Sequence, residues 1–169
     1  MVNRGASKAY LGLGANLGDP IEQIISAYNE LAEIQGIRCR RHSKFYMSSP
    51  VGYDDQPNFI NCVLEVETQL SAIDLLDAAQ EIELRLGRLR VAGNQNAPRV
   101  IDIDLLLYDD QQINTNRLTI PHPRMTERLF VLCPLLELID NPVYSEALIN
   151  GHFIGQEITV LSIKDGLIA

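Results

Sequence analysis

The stretch KAYLGLGANLGDPIEQIISAYNELAEIQG, residues 8–36, changes its hydrophobic period part-way, and that change decides the fold class. Over Lys8–Gly14 the residues alternate, with Ala9, Leu11 and Leu13 on one face and Tyr10, Gly12 and Gly14 on the other, which is the period of a strand. From Ile21 the apolar residues recur at helical spacing through Ile24, Ile25, Tyr28, Leu31 and Ala32. Asp19 stands as an N-cap, Pro20 takes the first helical position and Glu22 completes a capping-box-like pair. The glycines between strand and helix fail the dinucleotide fingerprint, because Leu17 occupies the place of its third glycine, and no segment matches the Walker A pattern. Rossmann and P-loop folds are therefore set aside. Gly12 and Gly14 keep two readings, backbone bared for close approach of a ligand or the start of a turn.

Outward from this unit the same logic places the other elements. Gly36 ends the helix, and Ile37–Met47 is predicted as one long strand with Ile37, Cys39, Phe45 and Met47 in phase. Phe59–Thr68 is a further strand with Ile60, Cys62, Leu64 and Val66 on its core face, so that Phe59 and Asn61 point the other way. Ser71, with Asp74 three residues on, caps a second helix carrying Leu75, Ala79, Ile82 and Leu86 on one face, and Gly87 stops it. Arg99–Tyr108 is predicted as a strand, Ile113 and Leu118–Ile120 as short strand pieces, and Thr126–Leu138 as a helix kinked or interrupted by Pro134. The order strand, helix, strand, strand, helix, strand is that of an α+β, ferredoxin-like split βαβ domain with an antiparallel or mixed sheet. One domain spans residues 1–169, its core at about 8–138 and a weakly patterned, loosely packed extension at about 139–169.

Composition agrees with a globular chain. Of 169 residues 46% are hydrophobic and 21% charged, with a net charge of −8, so disorder and disulfide scaffolds are excluded. No apolar run reaches the roughly 18 residues of a spanning helix and no signal-type stretch opens the chain, so no membrane association and a cytoplasmic location are expected. Cys39, Cys62 and Cys133 are odd in number and widely spaced, which fits reduced packing thiols. The acidic balance argues against nucleic acid as a partner. It leaves room for a small polyanion, since Arg85, Arg88, Arg90 and Arg99 cluster locally.

The sharpest chemical signal is Asp102-Ile103-Asp104 within RVIDIDLLLY (99–108), where alternation puts both carboxylates on one face and Ile101, Ile103, Leu105 and Leu107 on the other. Two adjacent carboxylates suit Mg2+ bridging to substrate phosphates, or else form a solvated acidic edge. Arg99 just before them, with Arg88 and Arg90 on the preceding loop, adds the cations that phosphoryl transfer needs. Singly, each arginine reads equally as a surface ion pair. Phe59 and Phe130 could clamp a flat heterocycle with Asn61 reading its edge, or serve as plain core. His122, held between Pro121 and Pro123, faces a phosphate or solvent.

Together AYLGLGANLGDP, SSPVGYDDQPNFIN, IELRLGRLR, APRVIDIDLLLYDD and LTIPHPRMTERLF, over about Ala9–Leu138, resemble the 6-hydroxymethyl-7,8-dihydropterin pyrophosphokinases of folate biosynthesis. The resemblance implies a ferredoxin-like three-layer αβα sandwich with a mainly antiparallel sheet, and transfer of pyrophosphate from ATP to the pterin hydroxymethyl oxygen with release of AMP. It implies ATP as co-substrate, two Mg2+ ions on Asp102 and Asp104, and catalytic roles for Arg88, Arg90, Asp102 and Asp104. By the same resemblance Phe59 and Phe130 sandwich the pterin, Asn61 bonds its edge, and Gly14, Ser48, Ser49, Pro50 and Val51 line its pocket, with Asp54 and Gln56 beside it. ATP would draw on Gln80, Glu83, Arg88, Arg90, Arg99, Leu105, Arg117, Thr119, His122 and Arg128, with Arg88 and Arg90 on a loop that closes over the substrates. A monomer is the family default. The chain departs from the family at Gln95-Asn96-Ala97-Pro98-Arg99, where a basic residue, Trp and Gly-Pro-Arg are usual, so an apolar lid over the pterin is missing. A metal-dependent nucleotidyltransferase shares the paired carboxylates but would add a Gly-Ser signature and a third carboxylate, and a non-catalytic ferredoxin-like module would not need Asp102 and Asp104 together.

Overall fold

Strand β1 (Ser7–Ala15) lies inside the sheet, one strand in from an edge, in the computed structural model, which describes residues 5–50, 55–87 and 100–162. Helix α1 (Pro20–Glu33) starts as its sequence dictates, with the Asp19 carboxylate accepting from the Glu22 N–H at 3.2 Å and Pro20 at the first position. Next come β2 (Ile37–His42), β3 (Tyr46–Ser48) and β4 (Phe59–Thr68). Helix α2 (Ala72–Arg85) is capped by Ser71, whose hydroxyl accepts from the Asp74 N–H, and stops before Gly87 at φ +93°. Then follow β5 (Asp102–Tyr108), the hairpin β6 (Ile113–Asn114) and β7 (Thr119–Ile120), a 3-10 turn at Met125–Glu127, α3 (Leu129–Leu138), α4 (Pro142–Asn150) and β8 (Ile158–Val160).

The main sheet runs β5-β1-β4, after which the far edge of β4 pairs with β2 at one end and β3 at the other, and β8 pairs with β3. Every pairing is antiparallel. Each βαβ unit is thus split by a strand of the other, as the element order predicts. Helices α1 and α2 cover one face, where Ile24, Leu31, Leu75 and Ile82 pack on Leu11, Leu13, Leu64 and Leu105. Helix α3 covers the other, where Met125, Leu132 and Leu135 pack on Tyr10, Val63 and Leu106. The result is an α+β sandwich of three layers, αβα.

Five local expectations are corrected. The predicted strand Ile37–Met47 is two strands, because at Ser43 the chain turns inward: its N–H donates to the Val63 carbonyl and its hydroxyl accepts from the Val63 N–H at 2.9 Å. The strand predicted from Arg99 begins at Asp102 within the described residues, opposite Gly14, near the point where β1 ends. Its alternation slips at Leu106, where the ladder with β1 carries a bulge, so Leu107 packs on the α3 side and Tyr108 joins the α1–α2 core. The helix predicted over Thr126–Leu138 is broken at Arg128, whose backbone is extended at φ −124° and ψ 113°, and not interrupted at Pro134, which lies within α3. Residues after Asn141, expected to be loosely packed, instead form α4, which buries Tyr144, and the edge strand β8.

Candidate active site

The register of β1 with its neighbours sets out the site on the α3 face. Asp102 and Asn61 flank Gly14, and Asp104 and Val63 flank Gly12, so two rows cross three strands with a glycine at the centre of each. Lacking side chains, the glycines leave a trough between the acidic strand and Asn61. Asn61 is 7% exposed, and its amide donates to the Ser48 Oγ at 2.8 Å while its Oδ1 lies across Gly14. A Cβ on Gly14 would come within 2.8 Å of that oxygen, so only glycine fits there without moving the amide. Asn16, 2% exposed, donates to Gln56 Oε1 at 2.8 Å and to the Pro57 carbonyl at 3.0 Å, fixing the chain just before Phe59.

Two clefts open from this floor. The first is lined by Gly14, Ser48, Ser49, Phe59, Asn61 and Phe130, and holds about 710 Å3 with its open mouth included. The second runs along the β5 edge toward α2 and the β6–β7 hairpin, lined by Gln80, Glu83, Leu105, Arg117, Thr119 and His122, and holds about 1260 Å3 by the same measure. Asp102, Asp104 and Arg128 line both. Arg128 also stands over Phe130, its guanidinium carbon 5.6 Å from the ring centroid, a cation–π distance.

Charge is held in place around the second cleft. Glu83 is 2% exposed and its carboxylate accepts from the Ile103 N–H at 3.2 Å, pinning β5 to α2. Arg117 donates to the Asp77 carboxylate and, at 3.5 Å, to Gln80 Oε1. His122 Nδ1 accepts from the Arg124 N–H at 3.3 Å, which leaves the ring proton on Nε2. Burial, joined by the charges of Arg128 and Arg124 and opposed by that of Asp102, lowers the His122 pKa, so the ring is neutral at pH 7. Among the described residues no cluster of three or more His, Cys, Asp or Glu side chains could hold a metal by itself. A pair of hard carboxylates opening on two clefts is the donor set of a Mg2+ site completed by substrate phosphates and water, and Asp102 and Asp104 fit it. Burial pushes the Cys39 thiol up to about 11 and Cys62, which lines the first cleft, up to about 12, and raises Cys133 as well, so the thiols stay protonated at neutral pH.

The model of the 7,8-dihydro-6-hydroxymethylpterin-pyrophosphokinase family matches residues 10–140, most of the chain. The chain belongs to this family. It is 38% identical over 148 residues to the Haemophilus influenzae pyrophosphokinase, covering 88% of this chain and 91% of that one, and 42% identical over 130 residues to the Bacillus subtilis enzyme, covering 77% of each. It is 45% identical over 136 residues to the folic acid synthesis protein fol1 of Schizosaccharomyces pombe, of which it spans only 18%. A solved HPPK-DHPS chain in complex with substrates shares the fold at a TM-score of 0.59 and 15% identity, covering 79% of this chain and 40% of that one.

Of the site residues expected from sequence, those lining the two clefts are brought together as described, and Pro50 lines neither cleft. Val51, Asp54, Arg88, Arg90, Arg99 and the altered stretch Gln95–Pro98 lie outside the described residues. Arg124, Thr115 and Asn116 line the second cleft and were not singled out from sequence. Arg124 carried a signal, a basic residue directly after the rigid Pro-His-Pro stretch. Thr115 and Asn116 carried none beyond an ordinary polar turn. Among the described residues no helix is long and apolar enough to cross a membrane.

Proposed function

We propose that the first cleft takes the pterin, the second takes ATP, and the reaction occurs at the carboxylates they share. The chain is an ATP-dependent pyrophosphokinase of folate biosynthesis. It transfers pyrophosphate from ATP to the hydroxymethyl group of 6-hydroxymethyl-7,8-dihydropterin, giving the pterin diphosphate and AMP. The observation that carries the assignment of the clefts is their meeting at Asp102 and Asp104: one is walled by two phenylalanines and a buried amide, the other by arginines, a histidine and polar side chains. A flat, polar-edged heterocycle suits the first and a polyphosphate the second.

Each side chain then has a task. Phe59 and Phe130 bound the ring, and Asn61, its amide oriented by Ser48, reads the ring edge with Gly14, Ser48 and Ser49 around it. Gln80, Glu83, Leu105, Arg117 and Thr119 shape the nucleotide side, and His122 offers a neutral N–H to a phosphate oxygen. Two Mg2+ ions held by Asp102 and Asp104 would neutralise the ATP phosphates. Arg88, Arg90 and Arg99, which lie outside the described residues, would by the family resemblance add positive charge toward the phosphates. The hydroxymethyl oxygen, giving up its proton to water, bonds to the β-phosphorus while that phosphorus loses its bond to the oxygen bridging to the α-phosphate, and AMP leaves with that oxygen. Catalysis here is positioning and charge stabilisation. The chain acts as a monomer in the cytoplasm.

The experiment is AMP release from ATP, with and without 6-hydroxymethyl-7,8-dihydropterin and with Mg2+ present or chelated. AMP formation that needs both the pterin and the metal is expected. Appearance of ADP or free pyrophosphate instead would overturn the transfer chemistry.

A further inference from the structure

Beyond residue 140, where the family match ends, the chain returns to the rim of the first cleft. The Gln156 side chain reaches both sides of Arg128: its Oε1 accepts from the Leu129 N–H at 3.0 Å and its Nε2 donates to the Glu127 carbonyl at 2.8 Å. An N–H can only donate and a carbonyl only accept, so these partners fix the orientation of the amide. One residue on, Glu157 forms a reciprocal pair with Ser49, its N–H donating to Ser49 Oγ at 3.2 Å and its carbonyl accepting from the Ser49 N–H at 3.1 Å. Ile158–Val160 then pairs with Tyr46–Ser48. A short strap, residues 156–160, therefore ties the start of α3 on one side of the cleft to the end of β3 on the other.

The joint it grips matters because of where it lies. Arg128 separates the 3-10 turn from α3 with an extended backbone, and its own side chain makes no capping hydrogen bond to the helix. The Leu129 N–H at the start of α3 needs a partner from outside the helix, and Gln156 supplies it. Two helical pieces meeting at one extended residue form a point about which the chain can swing. That residue carries the guanidinium shared by both clefts, and Phe130 follows two positions later.

We propose that Gln156 is a positioning residue for pyrophosphoryl transfer, clamping the backbone on either side of Arg128 so that its guanidinium and the Phe130 ring stand where the two clefts meet. The proposal rests on the assignment of the clefts to pterin and ATP given above. It makes a segment outside the family-matched residues part of the working site.

The test uses the full chain as wild type, Gln156→Ala, Gln156→Leu, Arg128→Ala and the double variant Gln156→Ala with Arg128→Ala. Pterin-dependent AMP formation gives kcat and KM separately, calorimetry gives pterin affinity, and amide hydrogen exchange reports residues 127–131. Loss of the clamp is expected to lower kcat/KM about tenfold, the scale of one or two net hydrogen bonds, with the melting temperature nearly unchanged. Gln156→Leu, which keeps the length of the side chain, should behave like Gln156→Ala. Exchange at Leu129 should quicken, and in the Arg128→Ala background the Gln156 substitution should cost less than it does alone, because only the Phe130 part of its effect remains. An equal loss in both backgrounds, or unchanged kinetics and exchange in folded Gln156→Ala and Gln156→Leu, overturns the proposal. A wild-type chain that forms no AMP overturns the reaction reading alone, and pterin affinity and exchange in the same variants still decide the clamp.

Discussion

The two faces of β1 are built to opposite rules. Ala9, Leu11, Leu13 and Ala15 face α1 and α2, are buried to 2% exposure or less, and sit among aliphatic side chains. Tyr10, Gly12 and Gly14 face α3, where two of the three positions give up side-chain packing altogether and border Asp104 and Asp102. One strand thus holds the sheet together on one side and leaves room for a ligand on the other. Substitutions on the first face should cost stability, and those on the second should cost binding or turnover.

The largest effect that could break this contrast is at Asp104. Asp104→Ala is expected to lower turnover on the order of a thousandfold, roughly 4 kcal/mol at the transition state, with the thermal midpoint nearly unchanged. A folded variant with near-normal AMP formation would sink the assignment of the acidic face. Next is Leu11→Ala on the opposite face, a fully buried side chain whose truncation should cost about 3 kcal/mol in urea unfolding. Its activity, measured where the protein remains folded, should stay close to wild type. Gly14→Ala should then show a smaller, selective effect. The new methyl meets the Asn61 oxygen at 2.8 Å, and a penalty of about 1–2 kcal/mol should fall on pterin affinity rather than on nucleotide affinity in calorimetry.

The smallest effect sharpens the contrast by showing that polarity on the α3 face is not all functional. Glu65, away from the trough, is 4% exposed and accepts from Tyr10 Oη at 2.9 Å and from two Arg41 nitrogens at 3.3 and 2.7 Å. Burial raises its pKa, but the Arg41 and Tyr10 donors outweigh burial and hold the carboxyl below its ordinary value. A carboxyl depressed in the folded state adds stability above its unfolded pKa, and that stability is lost as the pH falls through the folded value. Glu65→Gln should therefore cost about 1 kcal/mol at neutral pH and flatten the acid side of the stability curve, with AMP formation unaffected. An acid limb as steep as that of wild type would show that Glu65 is not its source.

How far the sequence carries depends on whether a signal is local. The cap at Asp19, the cap at Ser71, the stop at Gly87 and the bounds of β4 follow from nearest-neighbour chemistry, and they hold. The paired aspartates and the glycines beside them were legible because alternation alone sorts a strand into faces. What failed depends on partners distant in sequence. The inward turn at Ser43 is made by Val63, and the start of α3 is completed by Gln156, neither of which leaves a mark on the local pattern. The edge strand β8 is three residues long and mostly exposed, so it has no hydrophobic alternation to read.

The bulge at Leu106 divides β5 into two reading frames. Ahead of it parity is set by chemistry, with carboxylates on even positions, and behind it by packing, with Tyr108 turned inward so that its hydroxyl donates to the Leu70 carbonyl at 2.6 Å. Because the frame resets between them, the acidic half and the aliphatic half need not agree on which residues face the core. The one extra residue decouples them, so a single strand can satisfy a binding face at one end and a closed core at the other without compromise in either.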